Sequence, residues 1–350
     1  MNTREKYDGL NGLRTYAILG IVMMHVLANG GYQKHGFILQ KLIPSFTNFV
    51  FLFMMVSAFG MCCGYYEKIR TGSISVDAFY SKRYEKIWPY FAMLCLIDLI
   101  VSPSINSIYE VFANLTLCFG LLPNAQISVI GVGWTLGVIF VFYLLFPFFC
   151  YLLGTKRRAW FSAIVAFVFN IVSESYFGAS RTNIIYSGVY FVFGGIIYLY
   201  RKQLEEFAKT KKMFVWLAAI ISVCMYFIIG SNTCTMLLVC EMLLICALGA
   251  KKYGILVNPV TSLISGISFE IYLGHMAIYR VIEKLRFTHL VSNDVVSYAM
   301  TCFGTIIGSV IFALAAQYGL KKIKFLFCNS TKVFRRNKSE KSKKDFDARP

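Results

Sequence analysis

The sequence holds none of the short patterns that mark soluble enzymes: it has no Walker loop, no HExxH and no GxSxG. It also lacks CxxC. Cys62 and Cys63 are adjacent, and no metal-ligand spacing appears among the 11 cysteines. Most of these, Cys95, Cys150 and Cys240 among them, lie inside apolar runs where a free thiol acts as a small hydrophobe, so neither a disulfide framework nor a metal site is expected. Charge is scarce, at 15% of residues, and acidic charge scarcer still, with 17 Asp and Glu against 35 Lys and Arg. No cleavable signal is expected at the start: Asp8 and Asn11 precede the first apolar run, and no small-residue cleavage site follows it. No internal repeat and no second globular domain is evident.

What is present is apolar. Hydrophobic residues make up 57% of the 350 and the mean hydropathy is +0.62, above the roughly 45–50% of soluble domains. Aromatics at 17% suit belts at two membrane interfaces. The net charge of +18 might invite a nucleic-acid partner. The cations instead fall in short clusters between apolar runs, which is the pattern of membrane topology, so none is expected.

Ten apolar runs are long enough to span: about 13–30, 46–66, 87–104, 132–153, 159–175, 184–200, 213–230, 232–250, 262–282 and 295–318. The expected fold is therefore all-α, a polytopic membrane protein of about ten transmembrane helices. One extra short piece, 108–123, is broken by Asn114, Gly120 and Pro123 and reads as re-entrant or interfacial. With both termini cytoplasmic, every cation lies inside except Lys34, Lys41, Arg181, Arg280, Lys284 and Arg286. A full span at 108–123 would carry Lys156, Arg157 and Arg158 outside. Residues 1–320 are expected to form the membrane domain. Residues 321–350 form a basic tail without periodicity, expected to be disordered and to rest near anionic headgroups.

Four clusters carry the residues with chemical potential. The first is Arg14 to His25, in which a cation and an imidazole bracket ten uncharged residues. Eleven steps at ~1.5 Å place them about 16 Å apart along a helix, Arg14 near one face of a ~30 Å hydrocarbon core and His25 near its middle. An ionisable group at that depth reads by default as functional. A buried imidazole bonded to a neighbouring helix and a flanking arginine that sets topology are the plain alternatives. The second cluster holds Lys82, Arg83 and Lys86 at the mouth of the third span, with Trp88 and Tyr90 behind; it serves either as an anchor or as a phosphate site. The third, Trp134 and Thr135 before Gly137, opens the fourth span and reads as belt or as an acceptor contact. The fourth runs through Ser268, Glu270, Tyr272 and His275, bringing a second histidine to a depth like that of His25. Asp98 and Glu241 are further carboxylates in apolar runs.

These clusters, in this order, resemble the acyltransferase-3 family of integral membrane acyltransferases. GLRTYAILGIVMMH (12–25) matches its opening cation-and-histidine motif, and KRYEKIWPY (82–90) its basic motif before a proline. WTLGVIFVFYLLFP (134–147) and ISFEIYLGHMAIY (267–279) match the two later ones. The resemblance covers roughly residues 5–320. It departs at Lys86, where a second arginine is usual, and at Ile139 and Phe140, where many members carry glutamate. Lysine keeps the charge but not the bidentate fork.

The resemblance implies a multi-pass protein of the bacterial cytoplasmic membrane that moves an acyl group, acetyl above all, from acetyl-CoA to a hydroxyl of a cell-surface carbohydrate. The acyl-CoA is a co-substrate and no cofactor is held permanently. His25 and Arg14 are then the catalytic pair, and Arg83, Lys86 and Lys82 receive the acyl-CoA phosphates. Trp134, Thr135, Ser268, Tyr272, His275 and Glu270 support the acceptor. The rival class for a polytopic chain is a transporter or flippase for a glycan or lipid intermediate, against which stands the lack of matched broken helices in the two halves.

Overall fold

The computed structural model describes residues 7–122 and 127–347, with side chains to 326. Arg4, Lys6 and Arg349, counted among the inside cations, lie outside these residues. Among the described residues the fold is all-helical, and the single β feature is an isolated bridge between Gly254 and Val257.

The helices are α1 (Gly9–Asn29), α2 (Phe49–Met61), α3 (Val76–Val101), α4 (Ile105–Leu115), α5 (Trp134–Leu152), α6 (Lys156–Phe177), α7 (Ile184–Leu199), α8 (Arg201–Thr210), α9 (Lys212–Ile229), α10 (Thr233–Leu248), α11 (Pro259–Gly266), α12 (Ser268–Lys284) and α13 (Asp294–Asp347). Side-chain caps start many of them. Thr155 accepts from the Arg158 amide, and Asn232 and Asn258 each form a reciprocal box with a threonine three residues on.

Six helical stretches are long and apolar enough to cross a membrane: Gly9–Asn29, Ile38–Arg70, Gly131–Leu152, Lys156–Phe177, Lys212–Ile229 and Asp294–Leu326. A seventh arises if α7 and α8, bent by 75°, form one span. The chain is thus a multi-pass membrane protein, with fewer long spans than the ten apolar runs suggest. The difference has local causes. Run 262–282 is broken between α11 and α12, and α10 has 16 residues, about 24 Å against a ~30 Å core. Of the piece at 108–123, Pro123 lies outside the described residues, and the described part holds most of the short α4 and a 3₁₀ turn at Phe119–Leu121, with Ile108, Tyr109 and Phe112 exposed. The backbone shows no break at 320/321; α13 continues as helix to Asp347.

α1 is the central helix, packed against α2, α10, α11, α12 and α13. Its apolar residues divide between two cores. Leu10, Leu13, Ala17 and Ile21 join the larger one with α2, α5, α7 and α10, while Ile18, Val22, Val26 and Leu27 join another with α12 and α13. Eleven residues are three turns plus about 20°, so Arg14 and His25 share one face of α1, between these two cores. Close helix approach depends on missing side chains. A Cβ on Gly194 of α7 would strike the Met55 carbonyl of α2, and one on Gly60 would meet the Arg14 guanidinium at 3.2 Å.

Candidate active site

At the His25 end of α1 lies a cavity of about 440 Å³. Its wall includes His25 and Ile21 from α1, Thr47 from before α2, Trp134 at the start of α5, Arg181 between α6 and α7, and Tyr272 from α12. Three of the four sequence clusters therefore converge here. The Tyr272 hydroxyl stands 2.7 Å from Thr135 Oγ1 and 3.0 Å from the Val132 carbonyl, tying α12 to the first turn of α5 beside Trp134.

His25 and His275 face each other with ring centroids 5.1 Å apart. His275 is fully buried, and its Nδ1 lies 2.7 Å from the Tyr272 carbonyl and 3.2 Å from that of Ile271. Both neighbours are acceptors, so Nδ1 carries the proton and Nε2 the lone pair. That Nε2 is buried and has no hydrogen-bond partner among the described residues. His25 is only half buried and opens onto the cavity, whereas His275, fully buried against the His25 ring, does not line it.

The second sequence cluster lies at the other end of α1. Arg83 donates to the Tyr65 hydroxyl at 2.6 Å and lies 4.7 Å above that ring and 5.8 Å from the ring of Tyr143. Tyr65 sits in a π-helical stretch, Cys62–Tyr66, that ends α2. The wider turn re-aims side chains, as such bulges do at functional sites. Tyr143 feels both the Arg83 and the Arg14 charges, so the two arginines face the same group. Lys82 and Lys86 are exposed beside them.

Two sequence candidates stand elsewhere. Glu270 accepts from Gln317 at 2.8 Å and its carbonyl from Tyr90 at 2.9 Å, while Ser268 donates to the Ser265 carbonyl at the start of α12. Neither lines the cavity. Ile139 and Phe140, in place of glutamate, are packed apolar residues; Phe140 is fully buried with its ring edge-on to Tyr84. Among the described residues no group of three His, Cys, Asp or Glu side chains could hold a metal ion.

The acyltransferase-3 family model, described as an acyltransferase domain, matches residues 7–314. The chain belongs to the acyltransferase-3 family. The match takes in all four clusters, from before Arg14 to beyond His275. No curated protein and no solved structure matches the chain. With its long apolar helices, this acyltransferase-3 protein is a membrane acyltransferase.

The cavity also contains an acyltransferase-3 residue that no motif pointed to. Arg181 lies between the rings of Phe51 and Trp134, 5.2 Å from each, and donates to Thr47 O at 2.6 Å and Thr47 Oγ1 at 3.2 Å. Its loop is fixed at both ends. Gly178 adopts a left-handed conformation (φ 60°) to end α6, Asn183 caps α7, and Ser187 Oγ donates to the Arg181 carbonyl at 2.9 Å. The sequence signal for it was indirect: Arg181 is one of the six cations that break the inside bias.

Proposed function

We propose that this acyltransferase moves an acyl group, in the simplest case acetyl, from acyl-coenzyme A to a hydroxyl of a cell-surface glycan or its lipid-linked precursor. The observation that carries the reading is α1, which presents Arg14 to a cationic end and His25 to a cavity from a single face. Coenzyme A brings clustered phosphates, which Arg83 would hold with Lys82, Lys86 and Arg14 close by. In this reading the cation-rich end faces the cytoplasm of a bacterial cell, the cavity faces the outer side of its membrane, and both termini lie inside. The acceptor enters by the cavity, where the Trp134 ring offers a face for a sugar to stack on.

The pantetheine arm reaches toward His25. A neutral His25 accepts the acceptor hydroxyl proton while that oxygen attacks the thioester carbonyl. The new C–O bond forms, the C–S bond breaks, and the proton passes to the departing thiolate. His275 packs its ring against that of His25. The single O–H of Tyr272 is committed to Thr135 or Val132, so Tyr272 acts as a wall rather than as the oxyanion donor.

The test is acetyl-CoA turnover by purified protein with a panel of glycan acceptors, wild type against His25→Ala and Arg83→Ala. Release of free coenzyme A that His25→Ala abolishes, with a raised donor KM in Arg83→Ala, is the expected result. Folded wild-type protein that neither binds nor consumes acyl-CoA of any chain length overturns the reading and favours transport.

A further inference from the structure

Arg181 is a cation held in the wall of the acceptor cavity, and among the described residues no anion balances it. Its contacts among the described residues are with neutral groups: the faces of Phe51 and Trp134 and the backbone and side-chain oxygens of Thr47. Among the described residues no Asp or Glu lines the cavity, and none pairs with Arg181. Its Nε is buried with no hydrogen-bond partner among the described residues. Burial holds its pKa below the usual guanidinium range, with nearby tyrosines opposing the shift. A guanidinium starts so high that the charge persists at neutral pH. A neutral side chain would suffice to bridge Thr47. A desolvated, preoriented guanidinium beside His25 is instead built for an oxyanion that arrives from outside.

We infer that the acceptor of this enzyme is anionic: the sugar unit that enters the cavity carries a carboxylate or a phosphate, which Arg181 engages while a hydroxyl of the same unit faces His25. This rests on the acyl-transfer reading above and narrows its acceptor class. The stacking of Arg181 on Trp134 also couples the two contacts, since a ring seated on Trp134 lies beside the guanidinium. Discrimination follows from chemistry already present. A neutral sugar leaves the guanidinium unpaired in a partly dry site, whereas an acidic sugar supplies charge-assisted hydrogen bonds in place of lost water.

The test measures binding without acyl-CoA, by tryptophan fluorescence of protein in nanodiscs. Two matched pairs serve as probes: methyl glucoside against methyl glucuronide for a carboxylate, and glucose against glucose 1-phosphate for a phosphate. At least one acidic member is expected to bind wild type about 10- to 100-fold more tightly than its neutral partner. The winning pair separates an acidic sugar residue from a glycosyl phosphate. Arg181→Gln is expected to abolish the ratio and Arg181→Lys to keep part of it. Equal affinity within both pairs in wild type overturns the inference, and so does a ratio that survives Arg181→Gln. The wild-type ratio needs no variant, so it still decides against the inference if Arg181→Gln misfolds. An acid preference in protein that never consumes acyl-CoA refutes the donor assignment and leaves the anion site standing. Transfer onto neutral glycosides without any acid preference does the reverse.

Discussion

The link between Tyr272 and Thr135 closes the cavity on the Trp134 side, and its energetics can be worked from the geometry. Thr135 is 2% exposed and its Oγ1 lies 2.7 Å from the Tyr272 hydroxyl, with the Val132 carbonyl 3.0 Å away as the second acceptor. Tyr272→Phe removes the O–H that the two oxygens share, a loss of about 1–3 kcal/mol. Thr135→Val is milder, about 0.5–1.5 kcal/mol, because the tyrosine hydroxyl can give its proton wholly to Val132. With both changes a phenyl ring meets a valine methyl, and the double variant should lose about 1 kcal/mol less than the two single losses added together. The assay is reversible unfolding of the four forms in mixed micelles, followed by acceptor kinetics. Tyr272→Phe should also raise the acceptor KM and leave the donor KM in place, since the loosened wall is on the cavity side. Strict additivity, or a Thr135→Val variant less stable than Tyr272→Phe, would refute the bridge as drawn.

Three further outcomes follow from the same structure. His25→Ala should insert and fold, because the side chain opens onto the cavity rather than a packed core, while transfer falls by about 10²–10⁴; loss of the protein from the membrane fraction would make His25 structural. Arg83→Lys should raise the donor KM by less than Arg83→Ala does, since lysine keeps charge but loses the stacking on Tyr65, and titrating acyl-CoA at saturating acceptor separates the two. Gly194→Leu should destabilise by about 1–3 kcal/mol by forcing α7 from the Met55 carbonyl of α2, whereas Gly188→Ala, whose Cβ meets nothing within 4 Å, should leave the unfolding midpoint unchanged or higher.

The sequence was most informative where helical period alone determines geometry. Arg14 and His25 share a face of α1 because eleven residues close three turns, and no partner helix is needed to know it. The convergence of Trp134, Tyr272 and His25 was legible only as the order of motifs, since contacts across more than a hundred residues depend on packing. Nearness in the chain was a poor guide within α12. Glu270 and His275 are five residues apart, about 140° around the helix, so the carboxylate turns to Gln317 while the imidazole turns to His25. Hydropathy found the apolar runs but not the breaks at Ile267 and Tyr200 that shorten the helices. In the sequence Arg181 stands out only as an exception to the inside bias of the cations. Its environment is assembled from three separate elements, through Thr47, Phe51 and Trp134, and no local pattern encodes that.

The dimensions of the two ends bear on what the enzyme can modify. A cavity of about 440 Å³ falls within the range of small-ligand pockets, roughly 300–1,000 Å³. It admits a sugar unit or two and not a folded polymer. On the acyl-transfer reading the acceptor must therefore offer a terminal unit, a protruding branch or a short lipid-linked precursor, with the remainder of the glycan outside. The donor faces the opposite constraint. If its phosphates bind near Arg83 and Arg14, as proposed, its thioester must cover the roughly 16 Å of α1 that separates Arg14 from His25. An acyl chain much longer than acetyl would have to find room past His25, whose ring already packs against the fully buried His275. On the proposed path, wild-type protein is therefore expected to turn over acetyl-CoA faster than longer acyl-CoAs at equal concentration. A preference that rises with chain length would mean that the acyl group lies along another path.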